Sequence, residues 1–176
     1  MKKIFLLLML SSLPLVLQGC GYTTASTLPS HLKTIYVEPL KNSVDYTSEA
    51  KRNIYFPLME VTIRNEIINR FLFDGHLKIA KEENADLILR GELVNYERNV
   101  LRYTDNNDPL EYRIHVVINL TIIEREKDAV FLEETGFVGE TTYFATGSLS
   151  KSEADAVQDA ILDTAHRVVE RTIENW

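Results

Sequence analysis

The chain has one cysteine in 176 residues, Cys20, so no internal disulfide can staple it. It has four histidines, His31, His76, His115 and His166, at spacings that match no metal-ligand motif. A glycine-rich phosphate loop and a G-x-S-x-G nucleophile turn are both missing, which leaves no sequence basis for catalysis or for a cofactor. Positive charge is scarce: 19 Lys and Arg face 26 Asp and Glu, a net charge of −7. Nucleic-acid binding needs a basic footprint, and this balance is the opposite. Tryptophan occurs once, at Trp176, so the aromatic-rich loops of a paired-carboxylate sugar site are lacking. The chain shows no internal repeat, no low-complexity tract and no block of like charge that would mark a tail.

What is present begins at the N-terminus. Lys2 and Lys3 precede an apolar run, Ile4 to Leu10, continued by Leu13 to Leu17. A basic start followed by a short apolar core is the pattern of a secretory signal. Ser11, Ser12 and Pro14 interrupt the run, which falls short of the roughly 20 apolar residues of a spanning helix. The signal ends in Leu17-Gln18-Gly19-Cys20, which resembles a lipobox. In that motif the cysteine thiol accepts a diacylglycerol and becomes the first mature residue; the alternative is an ordinary signal with a stray cysteine. Acylation would also remove the hazard of a lone thiol in an oxidising compartment. Residue 21 is Gly rather than the Asp associated with inner-membrane retention, which points to the outer membrane. Removing residues 1–19 leaves 157 residues, with 17 basic against 26 acidic, a net charge of −9. That length suits one domain with one core. The expected organisation is a signal over 1–19, a lipidated tether over 20–32 and a single domain over 33–176.

Thr34 to Val37 is β-branched and aromatic and reads as a strand, ended by Pro39. Pro57 opens an expected helix over Leu58 to Asp74, stopped by Gly75, with Val61, Ile67, Ile68, Phe71 and Leu72 on its core side. Leu77 to Ala80 reads as a second short strand. A long strand starts at Asp86, another runs from Leu110 to Ile122 with apolar residues at every second position, and a third covers Val130 to Phe144. Period-two alternation means one buried and one wetter face, the mark of antiparallel sheet. Ser150 with Glu153, or Ser152 with Asp155, caps a final helix. Its expected core stripe is Ala154, Val157, Ile161, Ala165, Val168, Thr172 and Trp176. These elements predict an α+β fold. It is a two-layer sandwich in which a mostly antiparallel sheet of about four strands carries two helices on one face.

The other sheet face is expected to expose Ile88, Val94, Tyr96, Val117, Ile123, Phe131 and Phe137 among polar residues. Strict alternation puts Arg90 and Arg98 there, opposite Leu87, Leu89 and Leu93, and puts Arg113 opposite Tyr112 and Ile114. A guanidinium donates two parallel hydrogen bonds to a phosphate, so Arg90, Arg98 and Arg113 are candidate contacts for an anionic ligand. Cross-strand pairing with neighbouring glutamates is the alternative role.

Several segments carry a family likeness: the lipobox, Cys20-Gly21-Tyr22, Ile35 to Asn42, the following helix with Gly75, and Asn84 to Leu93. Together they resemble the LPS-assembly lipoprotein family LptE, over essentially the whole mature chain. The resemblance implies a non-enzymatic outer-membrane protein facing the periplasm. It would plug the lumen of the β-barrel LptD, help that barrel assemble and help lipopolysaccharide reach the outer leaflet. The other reading is a lipoprotein that regulates a periplasmic synthase or serves as an auxiliary subunit of a lipid transporter. A tether of some twelve residues, at most about 3.5 Å each, favours a partner in the same membrane.

Overall fold

A computed structural model describes residues 28–47 and 56–174. The signal, Cys20, most of the tether and Trp176 lie outside the described residues. The elements in chain order are β1 (Thr34–Val37), β2 (Lys41–Asn42), α1 (Met59–Asp74), β3 (Lys78–Ile79), β4 (Leu87–Tyr103), β5 (Pro109–Glu124), β6 (Ala129–Phe144) and α2 (Glu153–Glu174). A short 3₁₀ turn, Glu82–Asn84, sits between β3 and β4.

The fold is α+β, but its sheet has six strands and is mixed, where about four antiparallel strands were expected. The main path runs β3-β1-β4-β5-β6, and β2 also pairs with β4. β1 is parallel to β3 and β4, and β2 is parallel to β4. The cause is the connection: the chain leaves β1 and β2, crosses over through α1, and re-enters β3 and β4 in the same direction. The long strands β4, β5 and β6 form an antiparallel meander. β5 shows the cleanest pattern, with Ile114, Val116, Ile118, Leu120 and Ile122 all buried. Asp86 ties the β1 and β4 starts together. Its carboxylate accepts the Lys33 N–H (2.8 Å), the Thr34 N–H (2.9 Å) and the Thr34 hydroxyl (2.8 Å).

α1 starts two residues after Pro57, because Leu58 adopts a left-handed conformation with φ 59°. Gly75, at φ 80°, ends it and donates its N–H to the Phe71 carbonyl, a conformation in which glycine carries no Cβ penalty. The buried row is Met59, Ile63, Ile67 and Phe71, an unbroken i,i+4 ridge. Val61 and Leu72, expected in the core, are exposed, so the helix is rotated from the expected face. α2 is capped in the second of the two registers: the Asp155 N–H donates to Ser152 Oγ at 3.1 Å. Its buried side includes Ala156, Ala160, Ala165 and Val168, whereas Ala154 is exposed. Both helices join the sheet in one core.

The approach of α2 to the sheet is set by Gly139 on β6. A Cβ there would stand 1.9 Å from Thr164 Oγ1 and 2.7 Å from the Thr164 backbone. Glycine lets helix and strand touch backbone to backbone.

Strict alternation fails at three places in β4, between Leu93 and Asn95, between Val100 and Arg102 and between Arg102 and Tyr103, and the first decides the faces. Between Leu93 and Asn95 the register shifts against β5, a β-bulge that sets Asn95 opposite Val117 and Tyr96 opposite Val116. The stretch from Asn95 to Val100 therefore turns over relative to the expected faces. Tyr96, expected outside, is in the core with 2% of its surface exposed. In the β5–β6 pairing, a shift between Ile118 and Leu120 re-aims Phe137, whose ring lies under the Arg167 guanidinium of α2 at 5.5 Å.

Candidate functional site

The three candidate arginines do not meet. Arg90 keeps its expected outer face, where its Nε donates to Glu38 Oε1 at 2.9 Å. It borders an open groove of about 410 Å³ with Lys41, Glu92, Asn119 and Thr121. Arg113 also faces outward, between Asn99 and Thr142 on the neighbouring strands, and its Nε has no hydrogen-bond partner. Arg90 sits opposite Thr121, eight residues along β5 from Arg113, a separation of roughly 26 Å at the usual strand rise.

Arg98 is on the other face, a correction that follows from the bulge. Its guanidinium pairs with the Glu153 carboxylate at the start of α2 and lies 5.1 Å above the Tyr112 ring. Tyr96 donates its hydroxyl to the same carboxylate at 3.2 Å, and Tyr112 stacks on Tyr143 with centroids 5.5 Å apart. Burial, reinforced by the negative charge of Glu153, pushes the Tyr96 phenol far above its ordinary pKa, so it stays a donor. Glu153 also stabilises the helix start, where the peptide dipoles favour an anion. This cluster clamps α2 to the far part of the sheet, and Arg98 is committed to it.

All four histidines pair with acids: His31 with Glu124, His76 with Asp74, His115 with Glu140 and His166 with Glu170. Among the described residues no group of three or more His, Cys, Asp or Glu side chains is arranged to hold a metal ion.

A feature that the sequence reading missed is the outward face of α1. Its exposed residues are Val61, Asn65, Asn69, Leu72 and Phe73, preceded by exposed Leu58. Leu72 is 62% exposed and Phe73 81%. None of them is charged, although 26% of the chain is Asp, Glu, Lys or Arg. At 100° per residue they fall within about a third of the helix circumference. Glu60, Arg64, Glu66, Arg70 and Asp74 lie off this face and are partly covered. The signal was legible as apolar and amide positions at 58, 61, 65, 69 and 72, but apolar spacing alone assigned Val61 and Leu72 to the core.

Two helices over one face of a mixed six-stranded sheet define a two-layer α+β domain. The sequence profile of the lipopolysaccharide-assembly family LptE matches residues 32–172. The chain belongs to that family. Among curated proteins none matches the sequence. Solved structures share the fold at low identity. The hypothetical protein CT253 from Chlamydia trachomatis superposes with a TM-score of 0.54 at 11% identity, covering 82% of this chain and 97% of that one. A minor lipoprotein from Acinetobacter baumannii gives 0.52 at 13% identity, covering 82% and 95%. Rare lipoprotein B from Shewanella oneidensis gives 0.45 at 15% identity, covering 77% and 94%.

Proposed function

We propose that this chain is a non-enzymatic lipoprotein of the outer membrane. Anchored at Cys20 and facing the periplasm, it plugs the lipopolysaccharide-translocating β-barrel LptD and aids both barrel assembly and lipopolysaccharide delivery to the outer leaflet. The observation that carries the reading is the family match over residues 32–172, nearly the whole described domain. The uncharged outward face of α1 supports it. Contiguous exposed apolar and amide side chains on an otherwise charged surface suit contact with a protein wall better than contact with water. The lipid itself would hold the protein at the membrane where such a barrel resides.

Direct contact with a phosphorylated glycolipid falls, in this reading, to Arg113 and Arg90 on the outer sheet face. Arg98 drops out because it lies on the helix-covered face, where it pairs with Glu153. The acidic chain offers no general attraction for an anionic lipid, so the contact must be local. The Arg90→Glu, Arg113→Glu double variant, shown folded by circular dichroism, should bind purified lipopolysaccharide more weakly than the parent. Equal binding makes both arginines structural.

The role itself is tested by gentle solubilisation of membranes and copurification with the tagged chain, together with depletion. An outer-membrane barrel should copurify at one to one, and depletion should lower assembled barrel and raise sensitivity to large hydrophobic antibiotics. Normal barrel levels and an intact permeability barrier would instead indicate a regulator or transporter subunit.

A further inference from the structure

β6 is the edge of the sheet: it pairs with β5 and, on its other side, with no named strand among the described residues. An edge of 16 residues is a template on which another strand can pair. Its outward main-chain groups belong to every second residue, here Val138, Glu140, Thr142 and Phe144. Three of those groups are already occupied. The Glu140 N–H donates to Asp163 Oδ2 at 2.9 Å. The Val138 carbonyl accepts the Arg167 guanidinium. The Phe144 carbonyl accepts the Lys151 N–H at 3.0 Å, from the chain leading into α2. Asp163 and Arg167 stand one turn apart on α2 and face each other at 3.7 Å. They present an acceptor and a donor at the spacing at which a neighbouring strand would present a carbonyl and an N–H.

We propose that the Asp163–Arg167 pair is a side-chain stand-in for a seventh strand, and that it prevents β6 from pairing with β6 of a second copy of this chain. The partner is a second copy because two identical edges related by a two-fold axis pair antiparallel without further adaptation. An axis at Thr141 sets Glu140 opposite Thr142 in both directions, so no like charges oppose each other. The segment Gly139 to Phe144 is rich in Thr, Tyr and Phe, residues that favour strand pairing. Thr142, whose main-chain groups carry no such cap among the described residues, is where pairing would begin. The inference does not depend on the barrel reading.

The test uses the full chain purified from membranes in detergent, and the readout is cross-linked dimer across a concentration series. The Asp163→Ala, Arg167→Ala double variant should give dimer that rises with concentration, while the parent stays single. Adding Thr142→Pro should return it to a single chain. Proline removes an outward N–H and is tolerated on an edge strand, so it blocks pairing without breaking the β5 ladder. A folded double variant that stays single, or one whose dimer survives Thr142→Pro, overturns the proposal. If circular dichroism shows the double variant unfolded, amide exchange in the parent decides. The Glu140 amide should exchange about five-fold or more slowly than the Thr142 amide, as one net hydrogen bond implies; equal rates overturn the proposal.

Discussion

Replacing Gly139 by Ala adds one methyl group where α2 and β6 approach backbone to backbone. The new Cβ would stand 1.9 Å from Thr164 Oγ1 and 2.7 Å from both the Thr164 Cα and N. The hydroxyl can swing away, but the backbone atoms cannot move unless the 22-residue α2 moves with them. Overpacking of this kind costs about 1–3 kcal/mol. Alanine recovers about 0.4–1 kcal/mol by restricting the unfolded chain. A net loss of about 1 kcal/mol lowers the melting temperature of a domain this size by about 2–4 °C. Thermal unfolding of Gly139→Ala, of Thr164→Ala and of the double variant gives the answer. Thr164→Ala removes the 1.9 Å clash and leaves the 2.7 Å contacts, so rescue should be partial. Gly91→Ala is the control: the three atoms nearest its Cβ would all belong to the Leu40 side chain, from 2.7 Å, and a side chain can yield where a backbone cannot. A neutral Gly139→Ala, or complete rescue by Thr164→Ala, would refute the view that backbone contact sets the position of α2.

Burial alone would raise the Asp86 pKa, but the Lys33 N–H, the Thr34 hydroxyl and N–H, and Arg125 outweigh it and hold the carboxylate below its ordinary value. Its stabilising effect is therefore complete above the unfolded value of about 3.9 and fades as pH falls through the lower folded value. Asp86→Asn should unfold at lower urea than the parent at pH 7, with the gap closing below about pH 4; a constant gap argues against ionisation as the cause. Leu72→Asp with Phe73→Asp should leave unfolding unchanged within about 0.5 kcal/mol, since both side chains are exposed, yet reduce barrel recovered on copurification. Undiminished recovery removes α1 from the interface. Cys20→Ala should leave an unprocessed chain without acyl label; labelling by radioactive palmitate in that variant refutes lipidation at Cys20.

The parts of the fold that could be read from sequence are those long enough to show a period. β5 alternates cleanly from Ile114 to Glu124, and the expected Ile114, Val116, Ile118, Leu120 and Ile122 are buried; at its start Glu111 is buried in place of Leu110 and Tyr112. α2 repeats over 22 residues, so its core side survives the misassignment of Ala154. β1, β2 and β3 have four, two and two residues, too few for any period, and every parallel pair of named strands involves one of them. The clue to that pairing was the order strand, helix, strand, whose crossover returns the chain in the same direction. α1 misled because apolar residues ring most of it, and only its packing on α2 and the sheet selects the Met59 to Phe71 ridge. The candidate arginines were placed by parity, and parity does not survive a bulge: it carried Arg90 correctly and Arg98 to the wrong face.

That bulge makes a deletion experiment informative. In an unbroken strand, removing one residue inverts every side chain beyond it. β4 already carries one residue more than β5 opposes between Leu93 and Asn95, and the surplus residue is Val94. Deleting Val94 should therefore restore regular pairing while Tyr96 still faces inward toward Glu153 and Arg98 still reaches the start of α2. The cost is the partial burial of one valine, on the order of 1–2 kcal/mol. Deleting Val117 from β5 has no surplus to absorb it. It would turn out either Ile118, Leu120 and Ile122 or Ile114 and Val116, five core side chains divided by the cut. Each exposed one costs about 1.5–3 kcal/mol, so the two outcomes cost about 3–6 or about 4.5–9 kcal/mol, a large share of the roughly 5–15 kcal/mol of an ordinary domain. Urea unfolding should find the Val94 deletion cooperative and slightly weakened, and the Val117 deletion without a cooperative transition. A Val94 deletion that fails as badly as the Val117 deletion would mean that the bulge itself, through its added twist, holds the far ends of β4 and β5 against α2.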